Sequence, residues 1–364
     1  MLESALQLLK EINEHGFVSY IVGGFVRDRI LGIESNDIDI TTNATPKEIK
    51  DIFEDSFLPS EDYGSVTVVK YGIRFEITTF REDINYVNNR RPTEVRYIDE
   101  LDKDLFRRDF TINAICMDEA GNLIDLLNGI DDINCRIIKT IGNPKVRFNE
   151  DCLRILRAIR FAATLDFELD DSVCQAIINK KHLLRGLSYY RKKEELSKIF
   201  SSSNKKRGVE LLLKFGLDEE LELSRLNDIL DIDDLIGVWC VLDVVDKYPF
   251  TNSEKALIKD INSVLECNNL DPMVLYKYGL YVNSVAGDIK GIDRKKVALA
   301  YDKLVISSRK EIDITTEEIT LCLNREPGEY LKDIYSVIEH DILYKKLKNK
   351  KEDILDFIKK NYSN

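Results

Sequence analysis

Histidine is almost missing from this chain: three residues in 364, with one tryptophan, three methionines and seven prolines. Seven cysteines stand at 116, 135, 152, 174, 240, 267 and 322, with no CxxC pair and no histidine at ligand spacing. That pattern argues against a zinc site and a disulfide framework, and for a chain kept reduced in the cytoplasm. No apolar run reaches the ~18 residues of a membrane span. The opening MLESALQLLKEINEHG carries acids and no cleavage-site pattern, so neither an integral membrane protein nor a signal peptide is expected. With only 17 glycines, long flexible linkers are not expected either. No fixed-period repeat occurs, and no GxGxxG follows the first strand signal, which excludes a Rossmann dinucleotide enzyme.

What remains is an ordinary globular balance, 44% hydrophobic and 32% charged. The length suggests two or three domains of ~100–200 residues. The net charge of −12 discourages a nucleic-acid partner if taken whole. Its distribution does not. Residues 185–214 hold nine Lys/Arg against three acids, 218–234 hold eight acids and one base, and the last 24 residues hold seven lysines. A local basic face is enough to hold a polyanion.

The first ~135 residues alternate strand and helix signals. SYIVGG reads as a strand entering a glycine turn, VRDRILG as a short helix closed by Gly32, and PKEIKDIF as a helix with Pro46 at its first turn after a Thr45 cap. SVTVVKYGIRFEITTF reads as two strands around Tyr71-Gly72. From about residue 140 the pattern is helical, and SSSNKK (201–206) is the clearest internal break. The fold class expected is α+β: a small α/β head followed by an all-helical neck, body and tail. The boundaries fall at 1–138, 139–203, 204–290 and 291–364.

Four groups of residues carry chemistry. Gly23-Gly24 at a strand-to-helix junction let backbone N–H groups approach an anion, with Arg27 one turn on. A tight turn is the plainer reading. Asp37 and Asp39, at i and i+2 of an apolar strand, share a side and suit a divalent cation between them, with Ile38 and Ile40 turned to the core. Strands disfavour Asp, though an exposed strand face would also show such a pair. Glu76 is either a third carboxylate or a solvated strand residue. Read as one helix, residues 150–163 place Glu150, Asp151, Arg154, Arg157 and Arg160 on one half of the surface, and this half is either a ligand-facing edge or simply solvated.

In order along the chain, GGFVRD, NDIDITTNATP, TFREDINYVNNRRPTEV, LFRRDFTINAI, RFNEDCLRILRAIRF and LSYYRKKEELSKIF resemble the motifs of the class II tRNA nucleotidyltransferase/poly(A) polymerase family, within the DNA polymerase β-like superfamily. The resemblance covers about residues 20–200. It implies a nucleotidyltransferase head. Gly23, Gly24 and Arg27 would hold a triphosphate, Asp37 and Asp39 two Mg²⁺, and Glu76 would join them as a catalytic carboxylate. Arg108 would face the ribose or phosphate, supported by Asp109 and Asn113. Asp151 and Arg154 would present an edge to the incoming base beside Glu150, with Arg157 and Arg160 reaching phosphates. The implied reaction is template-independent addition of C, C and A to a tRNA 3′ end from CTP and ATP. A-adding, CC-adding and poly(A)-polymerase activities share this chemistry and stay open. CC-adding relatives are expected to lack the 81–95 loop, which is full-length here. Poly(A) polymerases are expected to carry a longer basic C-terminal extension. From another class, a catalytically silent RNA-binding module is the alternative. No membrane and no obligate protein partner is expected. Two departures stand out: Asn88 where the loop motif has Asp, and Tyr190 where the neck motif has Glu.

Overall fold

The computed structural model describes residues 1–54, 56–60, 64–87 and 91–362. The chain forms two compact units, Met1–Ser224 and Arg225–Asn364. The predicted body, 204–290, is divided by this boundary. The SSSNKK break is only a turn inside the first unit.

The first unit opens with α1 (Leu2–Glu14), which buries Ala5, Leu8, Leu9 and Ile12 at helical spacing. The head sheet follows: β1 (Ser19–Val22), α2 (Gly24–Ile30), β2 (Asp39–Thr42), α3 (Pro46–Ile52), β3 (Ser56–Ser60), β4 (Ser65–Lys70) and β5 (Ile73–Thr79). Then come β6 (Arg81–Val87), β7 (Arg91–Tyr97), α4 (Leu101–Phe106), β8 (Cys116–Met117) and β9 (Leu123–Ile124). Seven strands pair in the order β3-β4-β5-β2-β1-β8-β9, while β6 and β7 form a separate antiparallel ribbon. Only β2 and β5 run parallel in the large sheet, which sets Asp39 opposite Glu76. The Thr45 cap expected at α3 is present and extends to a full capping box, with Thr45 and Glu48 exchanging hydrogen bonds. Tyr71 and Gly72 both take positive φ, the geometry of a two-residue hairpin turn. The loop motif thus becomes a ribbon. Asn88 lies outside the described residues.

A helical layer follows: α5 (Gly129–Asn134), β10 (Ile137–Ile138), α6 (Pro144–Glu150), α7 (Leu153–Thr164), β11 (Glu168–Leu169), α8 (Asp171–Lys180), α9 (Tyr189–Phe200), α10 (Lys205–Lys214) and α11 (Leu217–Leu221). Helices α9 and α10 both pack on α7. Gly208 is the close point of that packing: a Cβ there would sit 2.3 Å from Ile199 and 3.4 Å from Ala163. The second unit has helices and no strand among its described residues: α12 (Leu235–Leu242), α13 (Asn252–Leu265), α14 (Pro272–Ile289), α15 (Arg294–Tyr301), α16 (Thr316–Leu323), α17 (Tyr330–Leu343) and α18 (Lys351–Tyr362). Trp239 packs against Tyr248 and Phe250, and an isoleucine-rich core joins α16, α17 and α18. No helix among the described residues is long and apolar enough to cross a membrane.

One local reading is corrected and one open alternative is narrowed. The predicted continuous helix through 150–163 is broken: Asp151 is extended (φ −140, ψ 104), and its Oδ1 accepts the Leu153 N–H at 3.0 Å, so it ends α6 and caps the start of α7. Arg154 is 7% exposed, so the polar edge is not a solvated face. Within FTINAI, Thr111–Asn113 form a 3₁₀ turn tied to Lys139 and Phe110 by backbone bonds.

Candidate active site

One cleft of about 470 Å³ in the first unit gathers Gly23, Gly24, Arg27, Asp37, Asp39, Arg108, Asp109 and Asn113 from the head. The region from α6 to α9 adds Asp151, Arg154, Arg157, Arg160 and Arg191. Of the residues singled out in sequence, Glu76 and Glu150 do not line it. Arg107, Leu153, Phe161 and Arg191 do, and were not assigned a role.

The head side starts at the β1–α2 junction. Gly23 has φ +83, a conformation that L side chains rarely adopt. A Cβ at Gly23 would sit 3.6 Å from Asp39 Oδ2 and 3.9 Å from Arg108 Nη1, so bare backbone faces the cleft here. β2 begins at Asp39, so Asp37 precedes the strand. The alternation still holds, because Ile38 and Ile40 are buried and both aspartates reach the cleft. Burial, with Asp37 and Glu76 nearby, pushes the Asp39 carboxyl up to about 6, although Arg108 pulls the other way. Glu76 is exposed and acts on Asp39 through charge rather than from the cleft lining.

The arginines are held by acids and carbonyls. Arg27, itself buried, donates from Nη1 to Asn113 Oδ1 at 2.6 Å and from Nε to Asp28 Oδ1 at 2.8 Å. Asn113 Nδ2 donates to Asp109 Oδ1 at 3.1 Å, and Arg157 Nε donates to Asp109 Oδ2 at 2.6 Å. Burial alone would raise the Asp109 carboxyl, yet Arg157, Asn113 and the Phe110 N–H hold it at about 2. Arg160 Nε donates to the buried Glu195 at 2.7 Å. Phe161 lies among three guanidinium groups: Arg27 at 5.1 Å, Arg157 at 5.5 Å and Arg160 at 4.0 Å from its ring centre.

Arg154 donates to the carbonyls of Arg147 and Arg107 and to Glu150 Oε2, each at 3.0 Å. Glu150 therefore anchors Arg154 from outside the cleft lining. Arg147 also donates to the Arg107 and Arg108 carbonyls, which ties α6 to the head. Asp151 is pushed up by burial, partly offset by Arg191 at 3.7 Å, the Leu153 N–H and Arg154. Tyr190 is 65% exposed, outside this network.

The donor set at Asp37 and Asp39 is all hard oxygen. Among the described residues no group of three or more His, Cys, Asp and Glu forms a metal cage. Two carboxylates completed by substrate phosphates and water are what Mg²⁺ favours.

Residues 19–139 match the poly(A) polymerase head domain, 166–223 the "probable RNA and SrmB-binding site of polymerase A", and 243–358 tRNA nucleotidyltransferase domain 2. The CCA-adding enzyme of Lactococcus lactis subsp. cremoris is 36% identical, with 98% of this chain and 96% of that one covered. That of Ligilactobacillus salivarius is 34% identical over the same shares. The crystal structure of the Bacillus stearothermophilus CCA-adding enzyme in complex with CTP is similar with a TM-score of 0.86 at 27% identity, covering 98% of this chain and 96% of that one. Enzymes of this type generally use divalent metal ions. With such relatives along nearly its whole length, the chain belongs to the CCA-adding enzymes, the tRNA nucleotidyltransferases built on a poly(A)-polymerase-type head.

Proposed function

We propose that this chain adds C, C and A in turn to the 3′ end of tRNA, using CTP and ATP and releasing pyrophosphate. The observation that carries the reading is the single cleft in which Asp37 and Asp39 meet Arg27, Asp109, Asp151, Arg154 and Arg157. Its volume suits one nucleotide. Asp37 and Asp39 would hold Mg²⁺. Ions held there would supply Lewis-acid activation of the RNA 3′-hydroxyl and charge neutralisation for the departing pyrophosphate. The chain's own residues do the positioning. The Gly23–Gly24 backbone and Arg27 take the triphosphate, and Arg157 and Arg160 add phosphate donors. Arg108 faces the ribose or phosphate, and Asp109 with Asn113 holds Arg27 and Arg157 in place. Asp151 can accept from an exocyclic amino group and Arg154 can donate to a ring nitrogen or carbonyl, which suits cytosine and adenine. The wrong base leaves buried groups unpaired.

The second unit and the exposed lysines of α10 would hold the tRNA. The reduced cysteines fit work in the cytoplasm, since all seven are free. The test is incubation with tRNA transcripts ending before CCA, after C and after CC, with each nucleoside triphosphate alone and together. Sequential C, C and A is expected. Addition of A alone, of CC alone, or of long A tails would assign the chain to a narrower or different activity.

A further inference from the structure

Asp104 lies on α4 and its carboxylate is completely buried. Both oxygens are used. Oδ1 accepts from Arg107 Nε at 2.7 Å and from the Arg81 N–H at 3.3 Å. Oδ2 accepts from Arg108 Nη2 at 3.1 Å and from Thr41 Oγ1 at 3.2 Å. Thr41 sits on the same strand as Asp39, two residues on, and Arg81 begins the β6–β7 ribbon. One buried carboxylate therefore meets the metal strand, the ribbon and both cleft arginines of α4's end.

The Arg108 end of this network matters most. Its Nη2 is held by Asp104, while Nη1 approaches the same point beside Gly23 that Asp39 Oδ2 approaches. Its Nε is buried without a hydrogen-bond partner. Arg108 is thus one short swing from Asp39, and its ion pair is with Asp104 instead. An unheld guanidinium beside a crowded carboxylate pair would close on it and occupy the place of a cation.

We propose that Asp104 is a positioning residue that holds the Arg108 guanidinium away from Asp39 and so keeps the Asp37–Asp39 carboxylates open for a divalent cation. The inference rests on the metal assignment above. Mn²⁺ binding to the full chain, without nucleotide or tRNA, tests it by electron paramagnetic resonance of the free ion. Wild type should bind and D37N/D39N should not. Failure of that control pair would overturn both the metal assignment and this inference. With the control pair satisfied, D104N should bind Mn²⁺ about tenfold more weakly, and D104N/R108Q should return to within about twofold of wild type. Unchanged binding in D104N, or a loss that persists in the double variant, overturns the positioning role alone. Should D104N melt below the assay temperature, R108Q by itself decides. Held by Asp104, Arg108 does not compete, so R108Q should change Mn²⁺ affinity less than about threefold. A tenfold gain would mean that Arg108 already sits on Asp39 and would overturn the proposal.

Discussion

On the head side of the cleft, Asp37, Asp39 and Glu76 bring negative charge together, and Arg108 is the opposing charge that acts on Asp39. On the α7 side, Arg154 is held by Glu150 and two carbonyls, Arg157 by Asp109, and Arg160 by Glu195. Both sides are built for charged ligands, yet one is left incomplete and the other is finished within the protein. Like charges left facing each other cost stability, which a proton or a bound cation relieves. Donors already fixed by buried acids cost little to order when substrate arrives. The cleft pairs a side whose crowded carboxylates suit a cation with a side whose donors are fixed without one.

The contrast breaks most visibly under substitution. Asp37→Ala or Asp39→Ala should lower the rate of nucleotide addition by roughly a thousandfold or more, while the melting temperature stays level or rises, because repulsion is relieved. Near-normal incorporation at saturating Mg²⁺ would break the comparison at its centre. Asp109→Ala should behave oppositely in stability. It removes the buried acceptor of half-buried Arg157, of Asn113 and of the Phe110 N–H, at a cost of about 1–3 kcal/mol, measurable by urea unfolding. A loss below about 1 kcal/mol would show that the α7 side is not held by its acids.

Asp151 lies between the two plans. Asp151→Ala should shrink the preference for CTP and ATP over UTP and GTP by about ten- to a hundredfold, the worth of one charge-assisted hydrogen bond. kcat/KM for all four nucleotides on tRNA lacking CCA reads this directly, and unchanged ratios would make Asp151 a helix cap and nothing more.

The two sides should also respond to pH with opposite sign. Asp39 stands at about 6 in the folded chain, above its ordinary 3.8. Its contribution to stability is full below about pH 4 and lost as pH rises through 6. Cation binding must displace that proton, so Mn²⁺ affinity should fall about tenfold per pH unit below 6. Asp109, held at about 2, contributes fully above about pH 4 and loses its contribution as pH falls toward 2. Melting curves from pH 3 to 7.5, with and without metal, separate the two. A metal-free stability that does not fall between pH 4 and 6 would count against the crowded-carboxylate plan.

The smallest effect expected is in the basic stretch at 185–214. Much of it is spent inside the protein: Arg185 pairs with Glu220 and Arg207 with Glu168, while Lys192 and Lys205 are buried. Lys205 is therefore a poor probe of phosphate contact. Lys206 and Lys214 are exposed. Reversing each should reduce the salt dependence of tRNA binding by about 0.7–0.9 in slope, and an unchanged slope would remove α10 from the tRNA face.

Much of this site was legible because its signals are local. The Gly23–Gly24 turn, the Asp37/Asp39 alternation and the arginine spacing on α7 follow from backbone geometry alone. What escaped was either a partner far along the chain or a break in a helix. Glu195 is 35 residues from the arginine it holds, and no pattern in 150–163 points to it. Asp104 was within reach, since it stands three and four residues before Arg107 and Arg108, which follow directly on the end of α4. Its complete burial was not. The helix break was hidden because RFNEDCLRILRAIRF has good helical periodicity throughout, and only the competing bond from Asp151 to the Leu153 N–H interrupts it.

That interruption has an evolutionary consequence. Along an unbroken helix each side chain's direction is fixed by residue count, at about 100° per step, so re-aiming one contact re-aims all the others. Because α6 ends at Asp151 and α7 starts afresh at Leu153, the bearing of Arg157 and Arg160 is set by α7's own packing. Under the proposed function, mutation can explore Asp151 without re-aiming Arg157 and Arg160, whereas Arg154 shares α7 with them. The acceptor half of the base-reading edge and the phosphate grip can then be inherited as separate traits within a dozen residues of chain.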